Sequence, residues 1–308
     1  MSTIVRTNSP HEYKKRRCYS MILQLIIGGI LLGGVYALMA IGLTLIFGVM
    51  RIVNFAHGEF VMIGMYLTYI IYAVVGLDPY VSILIVTPLM FVLGWLINFV
   101  LIKRLIGAAH VTQIFVTVGL SMLMMSLALM IFGADFLSVR SEFATQAIDI
   151  GILLGVPQVI AFIISMIVSA IVYLFLKKTF IGKAIRATTQ NRVSATLMGV
   201  DIKKIYALTF AIGIALTGLC AAILIPIYPV YPTIGLNFVL MTFVIVVMGG
   251  MGSIPGALIG GLIIGVIETL SAFYFDPGWK QAFYFAIFIL ILIVRPQGFF
   301  GQIGSEEL

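Results

Sequence analysis

The stretch Ile205-Tyr-Ala-Leu-Thr-Phe-Ala-Ile-Gly-Ile-Ala-Leu-Thr-Gly-Leu-Cys-Ala-Ala-Ile-Leu-Ile-Pro-Ile227 carries no charge from end to end and follows directly on Lys203-Lys204. Its apolar character is continuous, and it supplies the roughly 20 residues that a helix needs to cross a bilayer. A strand of a membrane barrel would instead alternate in period two over about 10 residues. Backbone N–H and C=O groups find no water in hydrocarbon, so only helices and closed barrels satisfy them there. The run reads as a spanning helix. Similar runs occupy residues 21–50, 58–76, 80–102, 111–133, 152–176, 233–250, 254–275 and 281–295.

The composition agrees with that reading. Of 308 residues 62% are hydrophobic and only 9% charged, with a mean hydropathy of +1.20. Soluble domains run about 45–50% apolar and about 25% charged. The expected fold is an all-α polytopic membrane bundle of about eight spans, with lipid as its main solvent and with broken or re-entrant helices. Residues 1–20 form a basic leader, 21–301 the membrane domain and 302–308 a tail.

The net charge of +7 is clustered rather than spread. Arg6, Lys14, Lys15, Arg16 and Arg17 mark the leader, Lys103 and Arg104 a second patch, and Lys177, Lys178, Lys183, Arg186, Arg192, Lys203 and Lys204 a third. Short basic connections of this kind face the cytoplasm, a better account of the charge than a nucleic-acid surface. The acidic loop 134–151, with Asp135, Glu142 and Asp149, and Asp78 then belong outside. The leader resembles a signal peptide but lacks a small-x-small cleavage site, so an uncleaved first helix and a cytoplasmic N-terminus are expected.

Residues 21–50 do not fit the alternation. At 1.5 Å per residue they are too many for one span and too few for two. Gly28, Gly29, Gly33, Gly34, Gly42 and Gly48 punctuate them, and a break is expected there. Non-helical backbone at membrane depth occurs where protein buries it or water reaches it, which makes a break a pointer to a pathway. The stretches 49–58 and 247–256 are distantly alike, consistent with an internal repeat.

Three segments carry polar chemistry. Arg51-Ile-Val-Asn54-Phe-Ala-His57-Gly58-Glu59 groups a cation, an amide, an imidazole and a carboxylate between two apolar runs. It reads either as a pathway element, in which His57 and Glu59 can exchange a hydrogen bond, or as a cytoplasmic turn. Residues 183–199 can form one short basic helix, with Thr189, Val193 and Leu197 on a stripe and Gly199 as its stop. Such a helix lies on the membrane surface or docks on a cytoplasmic partner. Gly249-Gly250-Met-Gly-Ser-Ile-Pro-Gly256 joins two spans, and Gly256/Gly260 and Gly261/Gly265 are pairs that let helices approach closely.

Catalysis finds little support. The three histidines form no HExxH pattern, and Cys18 and Cys220 suggest neither a disulfide framework nor a metal site. No cofactor is expected.

The run Gly34-Val-Tyr-Ala-Leu-Met-Ala-Ile-Gly42-Leu-Thr-Leu-Ile-Phe-Gly48, leading into Ile52-Val-Asn54-Phe-Ala-His57-Gly58-Glu59, resembles the opening of LivH-type permeases of branched-chain amino acid ABC importers. Arg186-Ala-x-x-Gln190-Asn191-x-x-x-Ala195-x-x-Met198-Gly199, Gly249 to Gly261, and Arg295-Pro-Gln-Gly298 are similar to the family's later landmarks, in the same order. The resemblance implies a permease subunit of the bacterial inner membrane. It would work with a second, LivM-like permease, two cytoplasmic ATPase subunits and a periplasmic substrate-binding protein. ATP hydrolysis would reside on the ATPases. The resemblance makes 183–199 an ATPase coupling helix carrying Arg186, Gln190, Asn191, Ala195 and Gly199. Candidate pathway residues are Asn54, His57, Glu59, Gly249, Gly250 and Gly256. Two other readings stay open: a permease for urea or short amides, and an ion-coupled secondary transporter.

Overall fold

The computed structural model describes residues 10–139, 146–149, 152–275 and 277–300. Leader residues 1–9, Arg140 and Glu142 of the acidic loop, Asp276 and the tail 302–308 lie outside them.

The chain runs through α1 (Pro10–Met50), α2 (His57–Val75) and α3 (Pro79–Ile97), which passes through a π-helical turn, Asn98–Ile102, into the one-turn α4 (Lys103–Leu105). Then come α5 (His110–Phe132), a small antiparallel hairpin of β1 (Ala147–Asp149) and β2 (Leu153–Gly155), and α6 (Val156–Lys178). Two short helices, α7 (Phe180–Gln190) and α8 (Arg192–Leu197), precede α9 (Ile202–Leu224), α10 (Ile234–Gly249), α11 (Ile254–Tyr274) and α12 (Lys280–Val294). Every apolar run of the sequence is one of these helices. Seven are long and apolar enough to cross a membrane. Two more, α10 and α12, are apolar but have only 16 and 15 residues, so the expected count of about eight falls between the two tallies.

Local chemistry sets the helix starts. Asp78, Thr179, Asn191, Asp201 and Ser253 each accept a hydrogen bond from a backbone N–H of the first turn that follows, satisfying a donor that the helix leaves open. Proline stands in the first turn of α3, α6 and α11, where its missing N–H is harmless.

The middle of the bundle is α1 and α9, each with 83% of its apolar window buried, against 22% for the windows of α3 and α5. Peripheral helices bury narrow stripes. On α6 the stripe is Pro157, Ala161, Ser165, Ser169, Val172 and Leu176. The opposite faces carry exposed Ile163, Ile167 and Ile171, the pattern of a helix facing lipid.

The expected break within 21–50 is absent. Pro10–Met50 is a continuous α-helix. Its glycines serve contact rather than interruption: a Cβ on Gly33 would lie 2.7 Å from the Gly261 carbonyl oxygen, and one on Gly42 2.9 Å from that of Gly213. The Gly261/Gly265 pair of α11 packs on Gly29, Gly33 and Ala37, while Gly256 and Gly260 face Gly249 and Ile245 of α10. Small residues thus let three backbones meet.

These contacts also fix sidedness. On one face, Leu137 bridges Val230 through N–H to O distances of 2.9 and 2.8 Å, and Gln24 Nε2 donates to the Leu153 carbonyl at 2.9 Å. On the other, Leu45 lines one small cavity together with Phe175, Leu176 and Ile185. Helix α1 therefore starts on the hairpin face and ends among the basic residues 177–204. Unbroken, α1 crosses once where a broken element would have returned.

Candidate functional site

After Met50 the backbone turns at Arg51, whose φ of 52° is the one positive value at a non-glycine among the described residues. Arg51 and Arg192 both act electrostatically on Tyr206, so this turn lies beside α8 and the start of α9. The Val53 carbonyl accepts from Thr117 Oγ1 of α5 at 3.2 Å, and Asn54 Oδ1 accepts from the Ala56 N–H at 3.2 Å. The second bond is a local turn that leads into α2.

Asn54, His57 and Glu59 are all buried, at 1%, 0% and 0% exposure. The expected hydrogen bond between His57 and Glu59 is not formed. Residues two apart on a helix point to different sides. His57 Nε2 lies 3.2 Å from the Met39 carbonyl of α1, whereas Glu59 Oε1 accepts from Ser121 Oγ of α5 at 3.3 Å. The Glu59 carboxylate also covers Gly235 of α10, where a Cβ would overlap it. His57 and Glu59 therefore fasten α1, α5 and α10 around the turn, which Asn54 stabilises locally. Asn54 Nδ2, His57 Nδ1 and Glu59 Oε2 make no hydrogen bond among the described residues.

Gly249, Gly250 and Gly256 form the matching corner between α10 and α11. Gly250 has φ 97° and Gly252 φ 89°, conformations that L side chains rarely adopt. Gly256 touches the Gly249 carbonyl so closely that no side chain fits at either position, and Gly48 at the end of α1 abuts Gly252. Phe299 and Phe300 close the corner by donating their N–H groups to the Met248 and Gly249 carbonyls at 2.8 and 3.1 Å. The two corners thus touch, and the glycines act through backbone contact.

Residues 183–199 are two helices, not the one expected. Asn191, with φ −153°, ends α7 and starts α8: its N–H donates to the Ala187 carbonyl at 3.0 Å, and its Oδ1 accepts from the Ser194 N–H at 2.9 Å. An asparagine that can cap the following turn competes with helix continuation. Thr189, Val193 and Leu197 consequently share no stripe. Ala195 is buried, while Arg186, Gln190 and Asn191 are exposed. Arg186 Nη2 donates to the Lys177 carbonyl at 3.4 Å. Gly199, at φ 84°, ends the unit with its N–H on the Thr196 carbonyl at 2.9 Å. Val193, Leu197 and Met198 stand 70%, 82% and 84% exposed in this otherwise polar segment. Beyond it, the backbone N–H and ammonium of Lys204 hold the exposed Asp201 carboxyl below its usual range.

Sequence reasoning missed two groups. The polar stripe Gln113, Thr117 and Ser121 on α5 was visible as an i, i+4 series. Glu268 is the one charged residue of the run 254–275, a signal that by itself marks a site within a membrane helix. Among the described residues no three His, Cys, Asp or Glu side chains are grouped to hold a metal ion.

Comparison with known proteins agrees with this architecture. The family described as "Branched-chain amino acid transport system / permease component" matches residues 25–292. The high-affinity branched-chain amino acid transport system permease protein LivH of Salmonella typhimurium is 31% identical over 93% of this chain and 97% of its own length. BraD of Pseudomonas aeruginosa, a permease protein of the same kind of system, is 31% identical over 93% and 98%. A probable LivM permease of Methanocaldococcus jannaschii is 26% identical over 47% and 50%. No solved structure matches. On the strength of the family match and of 31% identity along nearly its full length, the chain belongs to the permease components of branched-chain amino acid transport systems.

Proposed function

We propose that this chain is the membrane-spanning permease subunit of an ATP-driven importer of branched-chain amino acids in the bacterial inner membrane. It works with a second, LivM-like permease, two cytoplasmic ATPase subunits and a periplasmic binding protein that delivers the ligand. The observation that carries this reading is the α7–α8 corner, which presents Val193, Leu197 and Met198 to solvent beside exposed Arg186 and Gln190. Exposed apolar side chains rimmed by polar ones mark an interaction surface, and this one is built to seat in a cleft of an ATPase.

Motion of that corner reaches the translocation helices through packing. Ile185 of α7 and Leu45 of α1 line one small cavity, and α1 leads into the turn held by His57 and Glu59. ATP binding shifts the equilibrium between inward and outward states by its differential affinity for them. Asn54, His57 and Glu59 hold the inner corner of the pathway.

The positive-inside rule places the 177–204 face in the cytoplasm. Lys103, Arg104 and Arg295, at the ends of their helices, join that side, so α1 begins outside, the reverse of the orientation expected from the leader.

The test is uptake of labelled leucine at micromolar concentration with and without the gene, together with co-purification of the ATPases. Uptake that depends on the gene and yields to excess isoleucine or valine supports the reading. Uptake indifferent to the gene, or gene-dependent uptake of urea instead, overturns it.

A further inference from the structure

A second set of polar side chains lies toward the hairpin face, away from the corners described above. Helix α12 begins at Lys280, whose Nζ is 3.0 Å from Glu268 Oε1 of α11. The Glu268 side chain is nearly enclosed, and its Oε2 is buried without a hydrogen bond among the described residues. Tyr36 of α1, Tyr228 of the α9–α10 connection and Tyr284 of α12 all sense the same carboxylate. Tyr36 and Tyr228 join their hydroxyls at 2.9 Å.

The depth of this cluster follows from helix length. With 15 residues, α12 spans about 22 Å at 1.5 Å per residue. The hydrocarbon layer is about 30 Å thick, and Arg295 ends the helix at the basic face. Lys280 therefore starts below the outer headgroups, and Tyr284 lies a turn deeper. Charged side chains at that level are rare and mark substrate or ion paths. Stability does not explain them, because a buried ion pair gives little net gain over apolar packing.

We propose that Glu268 and Lys280 form an extracytoplasmic acceptor site for a zwitterionic α-amino acid, a reading that rests on the amino-acid permease function above. The substrate ammonium takes the place of Lys280 on the Glu268 carboxylate. The released Lys280 ammonium, 37% exposed in its pair, takes the substrate carboxylate. Hydroxyls of Tyr36 and Tyr228 supply further hydrogen bonds at the same carboxylate. One internal ion pair is exchanged for two external ones, and no unpaired charge is buried at any stage. The site closes on itself when the substrate leaves, which keeps the path sealed between turnovers.

The test reconstitutes the complete transporter in proteoliposomes and compares wild type with E268Q, K280Q and the exchanged double variant E268K/K280E. Each neutral variant is expected to lose about tenfold or more of leucine uptake, the weight of one charge-assisted hydrogen bond. The double variant re-forms the ion pair and is expected to restore assembly and thermal stability of the complex. It should leave uptake about tenfold down or more, because reversed charges turn the bound amino acid around and misplace its side chain. Should the double variant recover full uptake, the pair is a structural staple and the proposal falls. Full uptake in both neutral variants overturns it equally. If the single variants fail to assemble, the double variant decides. These outcomes are read against an active wild type; a wild type that accumulates no amino acid overturns the functional reading itself.

Discussion

Glu59 of α2 accepts a hydrogen bond from Ser121 of α5 at 3.3 Å while its carboxylate covers Gly235 of α10, so one acidic side chain holds three helices at the inner corner. Removing the hydroxyl with Ser121→Ala leaves a buried carboxylate oxygen without its donor, a loss of about 1–3 kcal/mol. The expected outcome is a complex that inserts but melts earlier in detergent, with reduced uptake. Glu59→Gln keeps an acceptor for Ser121 and puts an amide where Oε2 stands. It should preserve assembly and lower uptake, and unchanged uptake would show that Glu59 does not hold the inner corner.

Close backbone contact predicts a sharp contrast among glycines of similar sequence setting. A methyl group on Gly256 collides with the Gly249 backbone and one on Gly58 with that of Gly235, whereas positions 28 and 119 have nothing within 4 Å. Gly256→Ala and Gly58→Ala should therefore cost several kcal/mol through overpacking and abolish assembly. Gly119→Ala should be neutral or stabilise by up to about 1 kcal/mol from helix propensity. Size-exclusion profiles and melting curves of the purified complex check both halves, and a well-folded Gly256→Ala protein would refute the contact.

How far the sequence could be read depends on the range of the interaction. The apolar runs are a local property, and all nine became helices with ends within a few residues of expectation, apart from the long N-terminal extension of α1. Whether Gly33 and Gly42 break a helix or admit a neighbour depends on Leu262 and Gly213, more than 170 residues away. No local pattern distinguishes the two. Asn191 was different, since an asparagine followed three residues later by Ser194 is a legible cap. The stripe Thr189, Val193 and Leu197 read across it masked that signal. The directions of His57 and Glu59 follow from helical geometry once α2 is known to start at His57. The pairing of Glu268 with Lys280 depends on α12 packing back along α11.

The orientation of α1 is open to direct labelling. In a chain lacking Cys18 and Cys220, a cysteine replacing exposed Leu153 in the hairpin should react with a membrane-impermeant maleimide added to intact spheroplasts. A cysteine replacing exposed Leu197 should react only after permeabilisation. An epitope at the N-terminus should be digested from outside, because Gln24 and Leu153 share a face. An N-terminal epitope protected in intact cells, with Leu153→Cys still labelled, would contradict the path of α1.

The last prediction concerns the α7–α8 corner, where fold and coupling can be separated. Asn191→Ala removes the side-chain oxygen that accepts from Ser194 at 2.9 Å, a loss of about 1 kcal/mol of cap stabilisation. It lets α7 and α8 straighten toward a single helix. Leu197→Asp leaves the backbone as it is, since Leu197 is 82% exposed, but places a charge in the middle of the apolar patch. Both chains should insert normally. Co-purification of the ATPases should fall steeply for Leu197→Asp, since desolvating an unpaired carboxylate in an interface costs several kcal/mol. It should fall less for Asn191→Ala, because the patch survives and only its angle changes. If Leu197→Asp retains its ATPases and its uptake, the exposed apolar side chains face lipid headgroups instead. The corner is then a surface helix with no part in coupling.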